Sequence, residues 1–210
     1  MSILTDIGEA LEKGKRKLVV EYVQKALDEG LAPQQILTEG LLPGMDRVGV
    51  KFRDNEIFVP EVLVAARAMS AGTELLKPLL AQGESTSKGK AVIGTVKGDL
   101  HDIGKNLVKM MIEGKGIEVI DLGVDVEPAA FVQAAIDNNA QIICCSALLT
   151  TTMPVMGEVV KAAEAAGIRD KVKIMVGGAP ITQEFCDSIG ADYYTADAAS
   201  AAICADQILA

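Results

Sequence analysis

Five apolar runs alternate with helical stretches between residues 90 and 210, and this alternation restricts the fold more than any other feature. The runs are KAVIGTV, IEVIDLG, AQIICCSAL, VKIMVGG and ADYYT. Helical periodicity follows them near residues 104–115, 128–138, 154–166, 181–189 and 198–209. Strands that are each followed by a helix form a parallel, doubly wound sheet. We therefore predict a five-stranded α/β domain of the Rossmann-like or flavodoxin-like type, with ligands bound beyond the carboxyl ends of the strands.

The first part of the chain has a different period. Apolar residues recur at helical spacing from Ile3 to about Leu80, without strand signals. Turn signals at Gly14, Gly30 and Asn55 divide this region into about four helices, the number in a small bundle. The stretch GESTSKG is short, polar and aperiodic, which is typical of a linker. We predict a helical bundle over residues 1–83, a linker at 84–89 and the α/β domain over 90–210.

Composition excludes several classes of partner. The chain holds 20 basic and 29 acidic residues, a net charge of −9, so we expect no binding to nucleic acid. No apolar stretch approaches the roughly 18 residues that suggest a membrane span, and the first residues lack a basic leader, so we expect a cytoplasmic protein with no membrane partner. The four cysteines form no CxxC pair. They are typical of small buried apolar residues in a reducing compartment.

The loop after the first predicted strand, GTVKGDLHDIGKN, contains the only histidine of the chain, His101. A single histidine more often caps a helix or lies on the surface than binds a ligand. This one follows a buried strand, however, and therefore lies at the edge of the sheet where ligands bind. The loop has neither GxGxxG nor GxxxxGK[ST], which argues against dinucleotides and nucleoside triphosphates.

Asp99, His101 and Gly104 form a D-x-H-x-x-G pattern, which resembles the cobalamin-binding motif of corrinoid proteins in the methionine-synthase and methyltransferase families. Ser146-Ala147-Leu148 begins 42 positions after Gly104, and Gly177-Gly178 begins 29 positions after Leu148, as in those families. We expect all three elements on loops that follow odd-numbered strands. Residues 40–72 look like the helical cap of corrinoid methyl carriers. Nearly the whole chain thus resembles the stand-alone corrinoid proteins of anaerobic methyltransferase systems, which serve methanol, methylamines, betaines or aryl methyl ethers.

The resemblance implies roles for particular residues. His101 would be the lower axial ligand of a corrin cobalt, Asp99 would accept a hydrogen bond from its imidazole, and Thr152 would extend this unit with its hydroxyl group. Proton uptake by the unit would accompany loss of the axial bond. The implied contacts to the corrinoid and its nucleotide tail are Asp102, Ile103, Gly104, Ser146, Leu148, Thr150, Gly177 and Gly178. The implied cover of the upper cobalt face is Phe52, Val59, Val62 and Leu63, although helical spacing alone favours core packing for these four.

The implied function is that of a methyl carrier, not catalytic alone. A substrate-specific methyltransferase would load cobalamin or a related cobamide in its cob(I)alamin state, and a second methyltransferase would pass the methyl group from methylcobalamin to tetrahydrofolate or a thiol. A reductive activating protein would be a further partner. Two alternatives stay open: a cobalamin-dependent sensor or regulatory module, which normally has an added DNA-binding domain, and the B12 subunit of an isomerase, which generally lacks the helical cap.

Overall fold

The computed structural model describes residues 2–80 and 87–210. Their contacts divide the chain into two compact units, Met1–Ser87 with Gly114–Gly116, and Lys88–Glu113 with Ile117–Ala210. The predicted linker at 84–89 lies partly outside the described residues, so its boundaries stay a prediction. Within the described ranges, no helix is long and apolar enough to cross a membrane.

The first unit is helical. Its elements are α1 (Ile3–Glu12), α2 (Arg16–Asp28), α3 (Pro33–Gln35), a π-helical segment (Ile36–Leu41), α4 (Leu42–Arg53) and α5 (Val59–Leu80). The chain stays helical from α3 through the π segment to α4, so the described residues form the four helical rods that the sequence predicts. Pro43 has no N–H to donate to the carbonyl of Glu39, which explains why the helix widens in the turn before it.

The second unit is a parallel sheet with helices between its strands. The strands are β1 (Lys90–Thr95), β2 (Glu118–Asp121), β3 (Ile142–Ser146), β4 (Lys173–Gly177) and β5 (Tyr193–Tyr194). The helices are α6 (Ile103–Glu113), α7 (Pro128–Asn138), α8 (Pro154–Ala165), α9 (Gln183–Ile189) and α10 (Ala198–Ile208). The strand order is β2-β1-β3-β4-β5, the flavodoxin-like order, and the predicted α/β fold class is confirmed.

The sheet is buried on both faces, as expected for parallel strands. On one face, Val92 and Ile143 join Phe131 of α7 and Met156 of α8 in a continuous apolar core. Cys144 and Cys145 are buried in β3. Burial raises the pKa of the Cys144 thiol to about 12, which agrees with a packing role.

The order of the strands fixes where a ligand can bind. Strand order reverses between β1 and β3, and doubly wound sheets bind ligands beyond the carboxyl ends of the strands at such a reversal. The register aligns Thr95, Ser146 and Gly177 side by side at the carboxyl ends of β1, β3 and β4. The loop that carries His101 begins directly after this row.

Candidate functional site

His101 lies in the loop between β1 and α6 and is held by one neighbour. Its backbone N–H donates to Asp99 Oδ1 at 3.1 Å, and its Nδ1 is 2.7 Å from the same oxygen. The carboxylate can only accept, so the proton of the neutral imidazole lies on Nδ1 and the lone pair on Nε2. Within the described part of the chain, Nε2 makes no hydrogen bond, and the side chain is 52% exposed. The imidazole is therefore oriented as a metal ligand with its second nitrogen fixed by a carboxylate.

The other oxygen of Asp99 binds the loop that follows β3. Oδ2 accepts the backbone N–H of Leu148 at 2.8 Å and of Leu149 at 3.1 Å, and the hydroxyl of Thr152 at 2.9 Å. Burial alone would raise the pKa of Asp99, but these donors and His101 together hold it well below its usual range. Asp99 thus stays ionised although only 1% of it is exposed. The structure brings His101, Asp99 and Thr152 together in one hydrogen-bonded unit.

A buried threonine donates a hydrogen bond to the backbone of His101, and sequence reasoning missed it. Thr95, the last residue of β1, is completely buried, and its hydroxyl donates to the carbonyl of His101 at 2.8 Å. Its signal in the sequence is a hydroxyl residue at the end of an otherwise apolar strand. The partner of that hydroxyl is six residues away across a turn, which the strand pattern does not reveal.

A buried lysine anchors the first turn of α6. Lys105 is 3% exposed and donates to Asp121 Oδ1 and Asn106 Oδ1, each at 2.7 Å. Burial would raise the pKa of Asp121, but the hydrogen bonds from Lys105 and Gly123 and the charges of Lys105 and Lys109 lower it. Asn106 in turn donates to Asp102 at 3.1 Å. The predicted contact residue Asp102 is exposed. Its hydrogen bond with Asn106 connects it to the first turn of α6.

Exposed apolar residues precede and follow His101 in the sequence and also occur in the loop after β3. Leu100 is 71% and Ile103 79% exposed, and Leu148 and Leu149 are 43% and 40% exposed. At Gly104, a Cβ atom would meet nothing within 4 Å. Ile103, Gly104 and Leu148 belong to the predicted contacts, whereas Leu100 and Leu149 were missed. An exposed imidazole, exposed apolar residues and an open glycine are compatible with the predicted contacts to a corrin ring, which stay a prediction.

The Ser146–Leu148 and Gly177-Gly178 elements of the motif are in contact. A Cβ atom on Gly178, whose φ is +138°, would be 1.8 Å from the carbonyl oxygen of Ala147, so only glycine fits there. Gly177 ends β4, the fourth strand along the chain, so the prediction of three odd-numbered strands is wrong for this element. Gly177 lies beside Ser146 because β4 pairs directly with β3. Ser146 is partly buried at the end of β3, and Thr150 is exposed in the loop after it.

The four predicted cap residues belong to the helical unit. Phe52 lies in the last turn of α4, and Val59, Val62 and Leu63 lie in the first turns of α5. Val62 is completely buried, whereas the other three are partly exposed. Their contact with a cofactor stays a prediction.

Comparisons with known proteins agree with this geometry. Two family models described as B12 binding domain match residues 89–204 and 3–77. The dimethylamine corrinoid protein of Methanosarcina barkeri is 44% identical over 209 residues, which are 99% of this chain and 98% of that protein.

Two solved structures are also similar. The methanol:cobalamin methyltransferase complex of Methanosarcina barkeri has a chain with a TM-score of 0.89 and 32% identity, covering 99% of this chain and 79% of that chain. A cobalamin-binding protein of Desulfitobacterium hafniense DCB-2 has a TM-score of 0.81 and 31% identity, with 98% of both chains covered. Together with the matches of both B12-binding family models, these similarities show that the chain belongs to the B12-binding corrinoid proteins of methyltransferase systems.

Proposed function

We propose that this protein carries a methyl group on corrinoid cobalt from a substrate-specific methyltransferase to a second methyltransferase that acts on tetrahydrofolate or a thiol. One observation carries the proposal: the only imidazole of the chain has Nδ1 fixed by a buried carboxylate, its Nε2 makes no hydrogen bond to the described residues, and the loop around it exposes apolar side chains. When bound, the corrinoid supplies a cobalt centre that takes up and gives up the methyl group.

The residues of the site control where protons reside. His101 is the proposed lower axial ligand through Nε2, and Asp99 keeps the proton of the neutral ring on Nδ1. Proton uptake by the unit of His101, Asp99 and Thr152 would accompany loss of the axial bond. The pKa of Asp99 is held low, so its carboxylate stays ionised, and the hydroxyl of Thr152 stabilises its second oxygen.

The proposed contacts to the corrinoid and its tail all belong to the second unit. Ile103, Gly104 and Leu148 provide apolar or open surface beside His101. The remaining predicted contacts around the corrinoid and its tail are Asp102, Ser146, Thr150, Gly177 and Gly178. The proposed cover of the upper face, Phe52, Val59, Val62 and Leu63, would exclude water and oxidants from a reduced cobalt centre.

Three partner enzymes follow from this role. A substrate-specific methyltransferase delivers the methyl group, and the relatives named for dimethylamine and methanol favour a small methylated amine or alcohol as the donor. The second methyltransferase removes it. A reductive activating protein restores the reduced cobalt centre after accidental oxidation. We place these reactions in the cytoplasm, in keeping with four free cysteines.

The regulatory alternative is not favoured, since a relative named as a dimethylamine corrinoid protein matches 99% of the chain.

Reconstituted protein tests the carrier role. The purified chain is loaded with cobalamin, reduced without oxygen, and mixed with dimethylamine or methanol and the matching methyltransferase. We expect the visible spectrum of the methylated cofactor only when donor and methyltransferase are both present, and loss of that spectrum when a methyl acceptor with its own methyltransferase is added. A His101→Ala variant, with and without added imidazole, is the matched control for the axial ligand. Cofactor that is bound but never methylated by any donor and enzyme pair would contradict the proposal.

A further inference from the structure

The loop that follows β2 runs directly beside the loop that carries His101. Hydrogen bonding between the two chains continues past the end of β2, because Thr95 donates to the carbonyl of Gly123 and Val126 donates to the carbonyl of Thr95, each at 3.0 Å. Val96 and Val126 form a further parallel bridge. Asp125 therefore lies next to the residues that lead into Asp99.

Asp125 makes two hydrogen bonds that bracket one peptide unit of the His101 loop. Its carboxylate Oδ1 accepts the backbone N–H of Gly98 at 2.7 Å. Its own backbone N–H donates to the carbonyl of Asp99 at 3.0 Å. One residue thus fixes the backbone on both sides of the Gly98–Asp99 peptide bond, directly next to the carboxylate that orients His101.

The backbone of Asp125 is in an unusual conformation. Its φ is +55°, in the left-handed region, where its neighbours in space Gly98 and Gly123 are also found with φ of +83°. Glycine occupies this region without steric cost, whereas an L-residue with a side chain is strained there. Aspartate tolerates the region because its short side chain can hydrogen-bond nearby. An aspartate where glycine would be less strained suggests that its side chain has a role at the site.

We propose that Asp125 is a positioning residue for the axial ligand, an inference that rests on the proposed function. Asp99 must direct Oδ1 to His101 and Oδ2 to the N–H groups of Leu148 and Leu149 at the same time. The two bonds of Asp125 hold the backbone of Asp99 where both are possible. When the side-chain bond is lost and only the backbone bond remains, the carboxylate leaves Nδ1 part of the time, the ring proton moves to Nε2, and the nitrogen proposed to bind the metal is blocked.

Two substitutions separate the side chain from the backbone strain. Asp125→Gly keeps the left-handed backbone at lower cost and removes the acceptor for Gly98. Asp125→Asn keeps both an oxygen acceptor and tolerance of the left-handed region. The matched control is Asn139→Ala, because Asn139 also has a left-handed φ, of +51°. Asn139 caps the end of α7 and precedes the start of β3, so it lies far from the carboxyl ends of the strands, where His101 is found.

His101 is the only histidine, so a tag-free protein labelled with ¹⁵N-histidine gives one imidazole whose ring tautomer can be measured by NMR without any cofactor. We expect protonation at Nδ1 in the unmodified protein, in Asp125→Asn and in Asn139→Ala, and a mixture of tautomers in Asp125→Gly. In cobalamin-loaded protein, Asp125→Gly should weaken axial ligation by about 10-fold, seen as loss of nitrogen coupling in the Co(II) electron paramagnetic resonance spectrum.

The outcomes are distinct. An Asp125→Gly protein with a lower melting temperature but an unchanged tautomer would overturn the proposal, because Asp125 would then be structural only. A tautomer mixture in Asn139→Ala would overturn it as well, since general destabilisation would produce the same effect. If the unmodified protein does not bind cobalamin, the proposed function fails, and the tautomer of the cofactor-free protein still decides the role of Asp125.

Discussion

Replacing Asp99 with asparagine changes one atom and tests the whole ligand unit. In the structure both carboxylate oxygens are acceptors: Oδ1 binds the N–H and Nδ1 of His101, and Oδ2 binds Leu148, Leu149 and the Thr152 hydroxyl. Asparagine offers one acceptor and one donor at these positions. The backbone N–H groups of Leu148 and Leu149 both need an acceptor, so the side-chain oxygen of the asparagine should face them. Its NH₂ group should then face His101.

This orientation should lower the free energy of unfolding and, separately, weaken the axial ligation of cobalt. The backbone N–H of His101 loses its acceptor, and Nδ1 must accept a hydrogen bond, which transfers the ring proton to Nε2. One hydrogen bond to a charged group is lost, and the contact to Nδ1 becomes a bond from a neutral amide, so the free energy of unfolding of the protein should fall by at least about 1.5 kcal/mol. Axial ligation should weaken by about 10- to 100-fold. Overall cofactor retention should fall less, because the apolar contacts are unchanged.

Urea unfolding of the cofactor-free protein measures the first cost, and Co(II) electron paramagnetic resonance of the loaded protein measures the second. Asp137→Asn is the matched control, since it makes the same change on α7, where among the described residues the Asp137 side chain accepts a hydrogen bond only from Gln133. Equal losses of axial ligation and of total cobalamin binding would refute the reasoning, because the loop would then have collapsed as a whole.

Three further predictions, one of them on a pair of glycines, concern other positions. Gly104→Ala should leave the stability of the cofactor-free protein unchanged, because the added Cβ meets nothing within 4 Å, but should weaken cobalamin binding in a titration; Gly178→Ala should unfold more easily, because its Cβ would be 1.8 Å from a carbonyl oxygen. Asp121→Asn leaves the buried Lys105 ammonium without its charged partner and should cost roughly 2 kcal/mol in urea unfolding at neutral pH. The lowered pKa of Asp121 means that its contribution is present above its unfolded pKa of about 4 and is lost as pH falls further, so the variant and the unmodified protein should converge in acid. Phe52→Ala should speed the oxidation of reduced cobalt in loaded protein exposed to air, measured from its visible spectrum.

Each of these has a matched control or a contrary result. For Phe52, the control is Val50→Ala, because Val50 is 46% exposed on the same helix and is not a predicted cap residue; equal oxidation rates in the two variants would remove Phe52 from the cap. Unchanged cobalamin affinity in Gly104→Ala would show that the open space at this glycine is not used by the cofactor. A difference between Asp121→Asn and the unmodified protein that persists at low pH would argue against loss of the ion pair as the cause.

The fold follows from local patterns that the sequence displays directly. All five predicted strands and the five helices after them are present, because period and length identify buried strands and amphipathic helices well. The π segment before Pro43 was not predicted, since it depends on a missing N–H inside a continuous helix. Placing Gly177 on an odd strand was wrong, because its run VKIMVGG is the fourth of the five along the chain and forms β4.

The site was predictable where a motif carries it and not elsewhere. The motif indicates Asp99 and His101, and counting from Ser146 indicates Thr152. Thr95 and Asp125 could not be found in this way, because their bonds to the His101 loop depend on the turn after β1 and on the pairing that continues beyond β2. Such contacts become visible only once the strand register is known.

The most direct test of the account asks whether the nitrogen on cobalt belongs to His101. The protein is produced with unlabelled and with ¹⁵N-labelled histidine, loaded with cobalamin, and reduced to Co(II) for electron paramagnetic resonance. Because His101 is the only histidine, we predict that the triplet splitting from the axial nitrogen becomes a doublet on labelling and disappears in His101→Ala. A triplet that is unchanged by labelling would show that the cofactor keeps its own lower base, and would contradict the assignment of His101 as the axial ligand.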